Sequence, residues 1–192
     1  RLTDRAPQAS EDPFDRFEET FGAPQREADE FYRSVTPASA TQDETRGMRQ
    51  GLAGMLCGKQ YYFFDADKWL SEHGVDPFAT AASTVRNREW GHMVNDDIIS
   101  MPDKWEYPWY AAWDLAFHVL ALSVVDEDFG KAQLDLMLGE SYLDPSGQLP
   151  AYEWNFGDVN PPVHAWATIF TYRLEKARRG QGDLEWLERA FH

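Results

Sequence analysis

Several things are scarce in this chain, and each scarcity closes off a class of function. There is one cysteine, Cys57, among 192 residues, so no intramolecular disulfide can form and nothing demands an oxidising compartment. Basic residues are few: 18 Lys and Arg against 33 Asp and Glu leave a formal net charge of -15. Phosphate backbones and anionic membrane surfaces reward clustered cations, so neither nucleic acid nor a membrane surface is an expected partner. Long apolar runs are missing too. The most apolar stretch, Leu115 to Val125, is interrupted by His118 and is too short to span a bilayer, and no basic start followed by an apolar segment marks a signal peptide. A soluble, cytoplasmic location is the resulting expectation. The sequence also lacks HExxH, paired cysteines, an Asp-rich calcium loop, a Gly-rich phosphate loop and a Ser-His-Asp or Cys-His signature. Neither a metal nor another cofactor is therefore expected, and oligomeric state is not legible.

What the chain does have is aromatics beside carboxylates. Five of the 8 tryptophans (Trp105, Trp109, Trp113, Trp154 and Trp166) fall between Met101 and Trp166, interleaved with Tyr, Pro, Asp and Glu. Sugar-binding clefts need this combination: the C–H faces of pyranose rings stack on indole, while carboxylates grip hydroxyls or move protons. Cys57, among Met55, Leu56 and Gly58, reads as a buried filler.

Residues 1–25 are polar, or mix spaced aromatics with acids, and read as a tail or linker; residues 26–192 read as the domain. One or two short helices, broken near Gly22 and Pro24, are expected between Phe14 and Tyr32. Thr41-Gln42-Asp43-Glu44 has capping-box spacing, and Met48, Leu52, Met55 and Leu56 share a helical face, which predicts a helix to about Lys59. Tyr61 to Phe64 fits either a short strand or continued helix. Residues 71–108, rich in Gly, Pro, Asn and Asp, read as a long loop. Helix is expected again from Pro108, with Trp109, Ala112, Trp113, Ala116, Phe117, Leu120 and Val124 at helical spacing, and then from Asp128 to Leu143 with Gly139 as a weak point. A turn at Asp144 to Gly147 leads to an extended aromatic loop. Asn160-Pro161-Pro162 opens a helix that ends at Gly180 behind Arg173, Lys176, Arg178 and Arg179, and Asp183 to His192 is a last one. The pattern predicts an all-α fold of helical hairpins whose loops build a site at one end. A first residue that is not Met and a final helix without a stop signal suggest a segment of a longer protein, truncated at its C-terminal end.

Asp114 is the sharpest catalytic candidate, because an aspartate between Trp113 and Leu115 has its charged form destabilised, as a general acid requires. Its position near a helix start is equally what a structural aspartate favours. His118, one turn later, is placed to hydrogen-bond Asp114 or share a metal with it, or to serve as a structural histidine. His92, Asp96 and Asp97 have ligand-like chemistry without a metal motif. Trp105, Tyr107, Trp109 and Trp113 are candidate stacking residues; Glu106, Glu153, Asn155 and Asp158, with Trp154, are candidate sugar contacts in the loops. Asp158 is alternatively a cap for the helix that follows. Lys104 is available to pair with Glu106 or a substrate carboxylate. Trp166 fits a buried core position.

The residues Trp113-Asp114 with Phe117-His118, the preceding Lys104 to Trp109, and the later Gly147-Gln148-Leu149-Pro150 and Asn160-Pro161-Pro162 together resemble glycoside hydrolase family 63 and its bacterial relatives, the processing α-glucosidases and mannosylglycerate or glucosylglycerate hydrolases. The resemblance runs from about Arg46 to the end and includes Lys59-Gln60 and Asn95-Asp96-Asp97. It implies part of an (α/α)6 toroid and hydrolysis of an α-glucosidic or glycosylglycerate-type bond with inversion. It implies Asp114 as general acid, with Trp105, Tyr107, Trp109, Trp113, His118, Glu153, Trp154, Asn155 and Asp158 around a carbohydrate substrate. The family's general base belongs to a later hairpin, beyond His192, so the isolated chain is expected to be weakly active or inactive. The alternative is a non-catalytic carbohydrate-binding or helical scaffold module.

Overall fold

In the computed structural model, residues 14–76, 85–152 and 155–192 are described. Seven helices and one two-stranded antiparallel sheet occur among them. The expectation of an all-α array of helical hairpins forming part of an (α/α)6 toroid is thus corrected: the fold is mixed, and the aromatic segment that fitted either strand or helix is a strand. The chain divides into two compact units at Arg49/Gln50.

The first unit contains α1 (Phe17–Val35) and the start of α2 (Gln42–Cys57). α1 runs unbroken through Gly22 and Pro24, against the expected interruption. A proline deletes one N–H from the ladder, and the carbonyl that loses its partner belongs to Thr20, an exposed residue that water can reach. Arg49 donates to Asp29 and lies 5.2 Å over the ring of Tyr32. The capping box forms as its spacing predicts: the Thr41 N–H donates to Glu44 Oε2 at 2.8 Å and the Glu44 N–H to Thr41 Oγ1 at 3.3 Å.

The second unit holds the rest of α2 and then β1 (Lys59–Asp65), which pairs with β2 (Val94–Ser100) from Lys59↔Ser100 to Asp65↔Val94. Alternation places Tyr62, Asn95 and Ile99 in the interior and Tyr61, Phe63, Val94 and Ile98 in solvent. β2 lies within the expected long loop, because Asn95-Asp96-Asp97 reads as turn chemistry. Tertiary partners overrule that preference. Asp96 accepts from the Tyr61 hydroxyl at 2.6 Å, and Asp97 accepts from the Tyr142 hydroxyl at 3.2 Å. Gln133 closes the outer edge of β2, accepting from the Ser100 N–H at 3.2 Å and donating to the Ile98 carbonyl at 3.0 Å.

Between the strands lies α3 (Ala66–Glu72), started by Asp65, whose carboxylate accepts from the Lys68 N–H. A short 3-10 turn, Arg88–Trp90, follows. Ala66, Trp90, Met93 and Phe156 make a small core of their own, with Phe64 packed on it. The main core surrounds α4 (Ala112–Val125), which packs on α5 (Glu127–Met137), α6 (Val163–Arg179) and β2. Ala112, Leu115, Ala116, Val119 and Leu122 of α4 are all buried; each fully buried leucine of this kind contributes roughly 1.5–3 kcal/mol. α5 ends well before Leu143, at the weak point that Gly139 marks. α7 (Leu184–Phe191) closes the unit; Asp183, expected as its first residue, is instead its N-cap and accepts from the Trp186 N–H.

α4 and α5 approach closely at Gly130. A Cβ there would lie 2.5 Å from Ser123 Oγ, and Ser123 is itself fully buried and bonded to Thr171 Oγ1 at 3.3 Å. Gly130→Ala is therefore expected to destabilise the fold by about 1–3 kcal/mol, read as a lower denaturant midpoint with an unchanged slope.

Candidate functional site

Three short segments carry the candidate residues, and the fold holds each differently. The loop from Asp103 to Trp109 is built on an aspartate: Asp103 Oδ1 accepts from the N–H groups of Trp105 at 2.8 Å and Tyr107 at 3.3 Å, and from that of Glu106 between them. This turn leaves Trp105 79% exposed. Tyr107 and Trp109 instead lie half-buried against the main core, their ring centroids 5.1 Å apart. The Tyr107 carbonyl accepts from Gln60 Nε2 at 3.0 Å, fastening the loop to β1. A three-ring platform of Trp105, Tyr107 and Trp109 is not what forms; one ring projects and two pack inward.

Asp114 stands in the first turn of α4, half-buried. Burial raises its pKa above the usual aspartate value, and its own backbone N–H opposes that shift only partly. No side chain among the described residues hydrogen-bonds or ion-pairs with it. His118, one turn on, does not bond Asp114. It shares a 3.0 Å hydrogen bond through Nδ1 with the buried Ser100 hydroxyl of β2, and burial lowers its pKa, so a neutral imidazole neighbours the carboxyl. Ser100 carried no sequence signal, because its role depends on β2 lying against α4.

Trp113 and Phe117, on the same helix, are exposed, and Trp166 is exposed as well rather than in the core. Their rings meet edge to face, Trp113 with Phe117 at 6.2 Å and Phe117 with Trp166 at 5.9 Å, and Phe170 continues the group 6.1 Å from Trp166. The sequence put Trp166 in the core because helical spacing reveals a stripe but not what covers it.

In the third segment, Glu153 and Trp154 lie outside the described residues. Asn155 and Asp158 are exposed, with Asn155 Nδ2 and Asp158 Oδ2 3.5 Å apart. Asp158 accepts from the Val159 N–H at 2.9 Å and caps no helix. Asn160 does not cap α6 either; Pro162 occupies that position, and Asn160 donates to the Leu149 carbonyl at 3.1 Å. His92, Asp96 and Asp97 are engaged separately, His92 donating to the Leu143 carbonyl at 2.6 Å, so they do not converge on one point. No ion pair joins Lys104 to Glu106, and Cys57 is exposed rather than buried.

The burial of Asp114 gives a test that needs no substrate. With its pKa raised, the folded state holds the proton more tightly than the unfolded chain, so the residue favours folding in acid. That contribution is lost as pH rises from the ordinary aspartate range through the raised folded value. Asp114→Asn is expected to melt higher than the wild type above this window and level with it below, in thermal scans from about pH 3 to about pH 8.

No family model matches this sequence, and no solved structure does. The uncharacterized protein YMR196W of Saccharomyces cerevisiae is 46% identical over 180 residues, which is 92% of this chain. The chain spans 16% of that protein's length.

Proposed function

We propose that this segment supplies the proton donor of an inverting glycoside hydrolase acting on an α-glucosidic or glycosylglycerate-type bond, with Asp114 as general acid. One observation carries the reading: Asp114 is a half-buried carboxyl at a helix start, held above its usual pKa by desolvation and without a cation partner among the described residues. A general acid has to keep its proton near the working pH and surrender it to the departing oxygen, and desolvation is how a carboxyl achieves that. An aspartate kept only for the helix dipole would be solvated and would titrate low. The resemblance of Trp113-Asp114 with Phe117-His118 and the loops around them to family 63 supports the same assignment.

In this mechanism Asp114 protonates the glycosidic oxygen while a second carboxylate, roughly 6.5–9.5 Å away, draws a proton from water on the opposite face of the ring. The second carboxylate is assigned to a part of the protein outside this segment. Trp113 and Trp105, both exposed, are the side chains placed to stack on a sugar, and the His118–Ser100 pair keeps an uncharged group beside Asp114. A helical scaffold module is the competing reading. It draws on the edge-to-face packing of Trp113, Phe117, Trp166 and Phe170, which builds an apolar patch rather than parallel stacking faces. Asp114→Asn in a full-length protein containing this segment separates the two, since hydrolysis is lost only if the residue moves a proton.

A further inference from the structure

An open cavity of about 320 Å³ lies beside β1, lined by Lys59, Gln60, Tyr61, Tyr62, Lys104 and Pro108. Asp114 is not among its lining residues. In a chain with net charge -15, this cavity has two lysines and no acid in its wall. The two lysines differ. Lys59 Nζ is 2.7 Å from Asp126 and 3.7 Å over the Phe129 ring, so its charge is answered. Lys104 has no ion pair among the described residues, and the carboxylate next to it in sequence, Asp103, spends one oxygen on three backbone N–H groups.

The sheet supplies a second donor. The bonds that flank the ladder, from the Met101 N–H to the Gly58 carbonyl at 3.3 Å and from the Ala66 N–H to the Met93 carbonyl at 2.9 Å, set its two-residue rhythm. Even-numbered residues of β1 therefore bond to β2, and the N–H and C=O groups of Lys59 and Tyr61 point away from it. On β2 the corresponding edge is closed by Gln133; on β1 the edge borders the cavity. A main-chain N–H and an ammonium that both lack an acceptor among the described residues together select for negative charge, since both are donors. The outward carbonyls of the same residues repel a second negative charge.

We propose that this cavity binds a small carboxylate, held by the Lys104 ammonium and the Tyr61 N–H. The test is titration of the isotope-labelled chain with acetate, inorganic phosphate and glycerol at constant ionic strength, following backbone amide shifts. Acetate is expected to produce saturable shifts centred on Gln60, Tyr61 and Tyr62, and glycerol none there. Lys104→Gln is expected to weaken acetate binding about tenfold or more, whereas Lys176→Gln, an exposed lysine on α6, leaves it unchanged. Unsaturable shifts spread over the surface, equal binding by Lys104→Gln, a matching response to glycerol, or tighter binding of phosphate than of acetate at these residues would each overturn the proposal.

Discussion

Asp114→Asn in a full-length protein containing this segment is expected to slow hydrolysis of an ordinary α-glucoside by about 10²–10⁴-fold, the usual worth of a positioned general acid. The loss should fall on kcat, because the carboxyl acts on the departing oxygen as the bond breaks and Asn preserves its shape and polarity in the ground state. Unfolding does not offer an escape from this prediction. The same substitution removes a half-buried ionisable group whose pKa desolvation raises, so the variant is expected to be as stable as the wild type or more so at neutral pH. Loss of activity with retained stability is a common signature of a functional group placed at some cost to the fold.

The largest effect on stability is expected at Trp186. Its ring is 2% exposed, its Nε1 donates to Asp135 at 2.7 Å, and Lys131 Nζ lies 5.1 Å over its face. Lys131 in turn is 2.8 Å from Glu175 and 3.6 Å from Asp183, and Glu175 accepts from the Asp183 N–H at 2.9 Å. Trp186 is thus the apolar centre of the joint that fastens α7 to α5 and α6. Trp186→Ala combines a large cavity with a cation that loses its aromatic partner, which together are expected to cost about 3–5 kcal/mol. Chemical denaturation measures the loss, and hydrogen exchange should show α7 losing protection before α4.

What could be read from the sequence was whatever local spacing determines. Thr41 and Glu44 announce their capping box and Asp183 the start of the last helix, because the partners lie within a turn or two; the stripe read along α4 holds at Ala112 and Ala116, but Trp113 and Phe117 of that stripe are exposed and Leu115, Val119 and Leu122, outside it, take the core. What could not be read depends on distant partners. The Asn95-Asp96-Asp97 run is a strand because Tyr61 and Tyr142 satisfy its carboxylates, and neither is nearby in sequence. That strand is what overturns the all-α expectation. The candidate site divides the same way. The flanking indole and leucine foretold the raised pKa of Asp114, whereas the binding of His118 to Ser100 required knowing which strand lies against α4. The exposure of Trp166 was hidden for a related reason: periodicity identifies a helix face but not the element that covers it.

The most direct measurement of the central claim compares two substrates in wild type and Asp114→Asn. An α-glucoside with an alcohol leaving group needs a proton at its departing oxygen; α-glucosyl fluoride departs as fluoride and needs little such help. If Asp114 is the general acid, the variant loses about 10²–10⁴-fold on the glucoside while hydrolysing the fluoride at nearly the wild-type rate. Equal losses on both substrates, or no loss on either, would contradict the assignment.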